Sequence, residues 1–103
     1  MTAARPPRRR RDPLALYASV LEVAKRHLGR AGITRLSYGS GMPIDRLHPI
    51  VDRLVEVGLL GAEPGDRPTY TITARGYEFL RTYWTLQGFL EGIDWVAEHE
   101  RAP

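Results

Sequence analysis

Residues 58–80 read GLLGAEPGDRPTYTITARGYEFL, and the fold turns on this stretch. Residues 59–63 and 69–73 flank Pro64-Gly65-Asp66-Arg67-Pro68, a run of turn formers, and this predicts a β-hairpin. In its second strand Tyr70 and Ile72 share one face while Thr69, Thr71 and Thr73 share the other. Thr73 then suits the N-cap of a final helix, which the apolar pattern extends to about residue 100.

Upstream of the hairpin, residues 43–57 predict a helix. Leu47, Ile50 or Val51, Leu54 and Val57 mark its buried stripe, and Gly58 is a natural stop. Its outer face carries Arg46, Pro49 and Arg53, with Asp45 and Asp52 beside them. Pro49 removes one helical hydrogen bond and crowds the preceding turn, so either the helix kinks there or its regular part starts nearer His48. A short helix is expected from Thr34 over Leu36 and Tyr38, ended by a turn at Gly39-Ser40-Gly41. A first helix is capped by Asp12 and begins with Pro13, with an apolar stripe through Leu14, Tyr17, Val20 or Leu21, Ala24 and Leu28; Gly29 and Gly32 end it.

The final helix has a pattern of its own. Phe79, Tyr83, Leu86, Leu90, Ile93 and Ala97 follow a 4-3-4-3-4 spacing, a heptad seam suited to pairing with a second copy. A second stripe of Tyr77, Leu80 and Trp84 is expected to pack on the preceding helices. Gly88 and Gly92, one turn apart, fit a close helix approach or a bend. The whole is mainly α with a small β-hairpin: a winged helix-turn-helix at residues 12–76, followed by a long C-terminal dimerisation helix at 77–101.

Charge is unevenly placed in this chain of 103 residues. Residues 1–11 carry five Arg and no acid, residues 12–76 are near neutral, and residues 77–103 are acidic, for a total of +3. The arm Arg5-Pro6-Pro7-Arg8-Arg9-Arg10-Arg11 is broken by proline and has nothing to bury, so it is expected to be extended. It reads as a DNA arm following phosphates or entering a minor groove, or else as a solubilising tail. The absence of cysteine excludes disulfides and thiolate metal sites. No run approaches the roughly 18 apolar residues of a membrane span, and the basic start lacks the apolar core of a secretory signal. A cytoplasmic location, associated with the nucleoid, is therefore expected. The chain has no Asn and a single Gln, a depletion of thermolabile amides that fits a thermophile.

Catalysis finds no support. His27, His48 and His99 fall in three segments, and Glu98-His99-Glu100 are chain neighbours that do not converge on a helix. No phosphate-cradling glycine loop or nucleophile elbow is present. No cofactor, metal site or enzymatic activity is expected.

The run Thr34-Arg35-Leu36-Ser37-Tyr38, then Met42, Leu47, Ile50-Val51, Leu54 and Gly58-Leu59-Leu60, resembles the archaeal ten-kilodalton winged-helix proteins, as does the run from Tyr70 through Thr73 and Gly76 to Phe79-Leu80. That family comprises chromatin-associated DNA binders and related transcription regulators, and the likeness covers about residues 14–97. It implies that the segment around 43–53 enters a major groove, that the 64–68 loop is a wing on the DNA backbone or minor groove, and that the last helices of two chains pair as an antiparallel coiled coil.

The residues themselves supply candidate contacts to double-stranded DNA. Arg46 and Arg53 suit guanine edges or phosphates, unless they pair with Asp45, Asp52 or Glu56 on a solvated face. Arg35, Ser37, Tyr38 and Ser40 are candidate phosphate donors, joined by Arg67 at the wing tip and Arg75 beside the last helix. The competing function is a winged helix used for protein assembly in a transcription or sorting complex.

Overall fold

The computed structural model describes residues 12–91. The basic arm, Gly92, the seam positions Ile93 and Ala97, and the expected continuation of the last helix to residue 100 lie outside them. Helix α1 (Pro13–Arg26) starts as its sequence dictates: the Asp12 carboxylate accepts from the Ala15 N–H at 2.9 Å, and Pro13 needs no partner for its nitrogen. Ala18, Val20, Leu21, Val23 and Ala24 form the buried face. The stripe ends there, not at Leu28. Two successive left-handed residues, Leu28 (φ 62°) and Gly29 (φ 88°), turn the chain out of the helix and leave the Leu28 side chain 98% exposed. Glycine adopts that conformation freely, whereas leucine is strained in it by about 1–2 kcal/mol.

The chain then forms β1 (Arg30–Gly32), a strand the sequence pattern did not predict. Three residues are too few to show an alternation, and its partner lies some forty positions away. Helix α2 (Ile33–Ser40) follows directly. Gly39 and Ser40, expected in a turn, are helical; Gly41 alone is left-handed, at φ 74°. Gly39 is small for another reason: a Cβ there would sit 2.7 Å from Val23 Cγ1, so it lets α2 approach α1.

Helix α3 (Ile44–Glu56) has Pro43 as N-cap and contains Pro49 within it. The helix therefore starts one turn ahead of His48, and the Asp45 carbonyl lacks its usual i+4 donor. Leu47, Val51 and Leu54 are fully buried, each worth about 1.5–3 kcal/mol of transfer free energy. Strands β2 (Leu60–Glu63) and β3 (Thr69–Ile72) form the hairpin, with Tyr70 and Ile72 buried on the expected face. β3 is central: it pairs antiparallel with β2 (Leu60 opposite Ile72) and with β1 (Ala31 opposite Tyr70), giving the order β1-β3-β2. The small sheet thus has three strands where a two-stranded hairpin was expected.

Helix α4 (Ala74–Glu91) opens on the predicted cap. The Gly76 N–H donates to Thr73 Oγ1 at 3.0 Å, and that hydroxyl donates to the Gly58 carbonyl at 2.6 Å. A side chain at Gly76 would collide with the Leu59 carbonyl. Leu80 is buried in the common core, and Phe79 and Tyr83 pack against its edge, so the first turns of α4 belong to the winged-helix body.

Candidate nucleic-acid interface

Three buried positions of α3 turn its opposite side outward, where Asp45, Arg46, His48, Pro49, Asp52 and Arg53 are exposed. Arg46 and Arg53 are seven residues apart and so share one flank of the helix, about 10 Å from each other. Their surroundings differ. Arg53 donates to Glu56 at 3.1 Å, and this hydrogen bond, with Tyr17 adding to it, raises the guanidinium pKa above its ordinary value. Arg46 has no carboxylate within ion-pair distance among the described residues. Of the two, Arg46 is the free guanidinium.

The helix-turn between α2 and α3 corrects two expectations. Ser37 Oγ donates to the Met42 carbonyl at 2.6 Å, and Ser40 Oγ donates to the Leu36 carbonyl at the same distance. Each hydroxyl has one proton, already committed to backbone, and Ser40 is also buried. Both serines fasten the turn; neither is a phosphate donor in this arrangement. Tyr38, one residue along, is 89% exposed.

Arg67 stands exposed in the loop between β2 and β3. Arg75 lies across the end of α3, its Nε donating to the Val57 carbonyl at 3.0 Å, which fixes the stem and leaves the outer guanidinium nitrogens exposed. Arg35 sits in the first turn of α2 with Nη1 3.2 Å from His27 Nδ1. It shares a groove with His27, weighed in the sequence only for metal or catalytic chemistry, and with Arg26 and Arg30, which the sequence reading passed over. Their signal was present as basic side chains on either side of Gly29, but only the turn after Arg26 and the β1–β3 pairing bring them to one groove.

The expected seam divides in two. Phe79 meets Tyr17 edge-on at 6.5 Å and stacks on Tyr83 at 6.3 Å, so these two positions already have partners within their own chain. Leu86 and Leu90 are 52% and 60% exposed, and Phe89 beside them is 70% exposed. Trp84, expected to be packed, is half-exposed and donates from Nε1 to Glu22 at 3.0 Å. No three His, Asp or Glu side chains converge as metal ligands among the described residues, and none of the described helices is long and apolar enough to cross a membrane.

Helix, strand, helix, tight turn, helix and β-hairpin, with an outward-facing third helix beside an arginine-tipped loop, define a winged helix-turn-helix protein. The chain belongs to the winged helix-turn-helix family, whose profile matches residues 10–91. Among solved structures it is similar to Sso10a-2, a DNA-binding protein from Sulfolobus solfataricus, with 25% identity, a TM-score of 0.73, and coverage of 88% of this chain and 94% of that one. It is similar in fold to Sco5413, a MarR family transcriptional regulator from Streptomyces coelicolor, at 19% identity and a TM-score of 0.61; the match covers 82% of this chain and 59% of that one. Human N-acetylserotonin methyltransferase matches 60% of the chain at 19% identity and a TM-score of 0.53, over only 18% of its own length. None of the curated protein sequences matches the chain.

Proposed function

We propose that this chain is a non-enzymatic, double-stranded-DNA-binding protein that works as a homodimer in chromatin organisation or transcription regulation at the nucleoid. The observation that carries the reading is Arg46 on the outward flank of α3, in no ion pair among the described residues, within a fold whose loop presents Arg67. Around it, Arg35, Tyr38 and Arg75 offer donors to phosphate, and Arg53 contributes only when it leaves Glu56. Sso10a-2, which matches nearly end to end, is described as DNA-binding, and this supports the assignment. The arm Arg8, Arg9, Arg10 and Arg11 adds long-range attraction for a polyanion. Leu86, Phe89 and Leu90 form an apolar strip that a second copy would cover, and the heptad spacing of the sequence runs on to Ile93 and Ala97, outside the described residues.

Binding to a duplex across a salt series, with competitor DNA and on protein of known mass, tests the reading. The full chain is expected to bind, and deletion of residues 1–11 to flatten the slope of log K against log salt by about 0.9 for each phosphate the arm had neutralised. Superimposable lines for the two forms assign the arm to solubility. Failure of the full chain to bind any duplex turns the assignment to a protein-assembly module.

A further inference from the structure

The groove between the end of α1 and the start of α2 has a chemistry of its own. Arg26, His27, Arg30 and Arg35 line an open cleft of about 340 Å³. They come from a helix end, its cap, a strand and the next helix, and the β1–β3 pairing holds them in place. The only carboxylate near them in an ion pair, among the described residues, is Glu63, 3.9 Å from Arg30 with both side chains 60% exposed, an arrangement that screens easily. A guanidinium has donors and no acceptor, so the contact with Arg35 makes His27 Nδ1 the acceptor and places its proton on Nε2. The cleft therefore presents N–H donors in forked and single form, the set that suits phosphate oxygens.

Two further features give it a direction. Gly32 pairs with Thr69, and Pro68 of the wing loop lies against Gly32, so the cleft adjoins the base of the wing. At its rim Leu28 is held in a left-handed conformation with its side chain 98% exposed. A strained backbone that displays an apolar side chain to solvent gains nothing for the fold. The cleft is open and lined by basic side chains, unlike the enclosed apolar concavities that take small molecules, and through Gly32 and Thr69 it reaches the β1–β3 edge at the base of the wing hairpin.

We propose that this groove binds successive phosphates of the DNA strand that passes beside the wing, with Leu28 resting on the deoxyribose between them. The proposal rests on the DNA-binding reading above and extends the footprint away from α3 along the β1 edge. The test uses the full chain, a duplex of generic sequence and a salt series. The exposed double variant R26Q/R30Q is expected to stay folded, to flatten the slope of log K against log salt by about 1.8 per protomer, and to weaken low-salt binding about tenfold. L28G is expected to raise Tm, because the left-handed strain is relieved and the exposed side chain packs against nothing, while weakening duplex binding a few-fold. A merely structural Leu28 would move neither affinity nor slope. If the unaltered chain binds duplex and R26Q/R30Q superimposes on it, the groove assignment falls while the DNA-binding reading stands. If the unaltered chain binds no duplex, both fall together. Histidine ring resonances provide the second arm: a His27 signal that shifts with inorganic phosphate but not with duplex identifies a free-anion site and overturns the duplex assignment.

Discussion

The two ends of α4 share one helix and differ in everything else. From Ala74 to Tyr83 the helix is tied down: its first turn is capped by Thr73, Leu80 enters the core, and Phe79 and Tyr83 stack beside Tyr17. From Thr85 to Glu91 all but the half-buried Gln87 are exposed, including Leu86, Phe89 and Leu90. The core made by α1, α2, α3 and the sheet reaches only as far as the helix can lean on α1. Beyond that point the same apolar spacing continues, and Leu86, Phe89 and Leu90 stay largely exposed among the described residues. A heptad in the sequence thus covers two kinds of position, one packed inside the fold and one exposed and directed away from it.

Leu80→Ala attacks the tied-down end and carries the largest expected effect. It removes a fully packed side chain from the core and should cost about 2–5 kcal/mol in denaturant unfolding. A cost below about 1 kcal/mol would mean that α4 is not anchored there. Trp84→Phe lies at the border between the two ends: it removes the hydrogen bond to Glu22 but keeps most of the ring, and should cost about 0.5–1.5 kcal/mol. At the free end, Leu90→Asp should change the stability of the winged-helix body by less than about 0.5 kcal/mol, since the position is largely exposed. Its effect should appear in sedimentation, where the altered chain runs as a monomer and the unaltered one as a dimer. An unaltered chain that is already monomeric at micromolar concentration breaks the comparison, because the free end then has no partner of its own kind.

Local chemistry was readable and distant pairing was not. Asp12 and Thr73 as caps, the 64–68 connection, and Tyr70 and Ile72 on one strand face all follow from spacings of a few residues, and the structure has them as read. β1 escaped because three residues have no period and exist as a strand only through β3. Gly39 was misread because glycine has two uses, a permissive backbone and a missing side chain, and here the second applies. Leu28 continued the α1 spacing by position, yet the helix had already ended at Arg26. In the candidate site, the place of Arg46 on the outer face of α3 was readable, but nothing in the sequence tells that Ser37 and Ser40 turn their protons to backbone carbonyls. The basic groove required the sheet to exist before its residues could be neighbours.

The junction at Thr73 has a mechanical side. Thr73 N–H donates to the Leu59 carbonyl at 3.2 Å, its hydroxyl to Gly58, and its oxygen accepts from Gly76, so the end of α3, the exit of β3 and the root of α4 are clamped at one pivot. With 18 residues, α4 is a lever about 27 Å long, and a tilt of about 5° at the pivot swings its far end by about 2 Å. In a paired form joined at the far ends, the stiffness of this joint, together with the packing of Leu80, Phe79 and Tyr83 above it, would govern how accurately the two outward helices are spaced along a duplex.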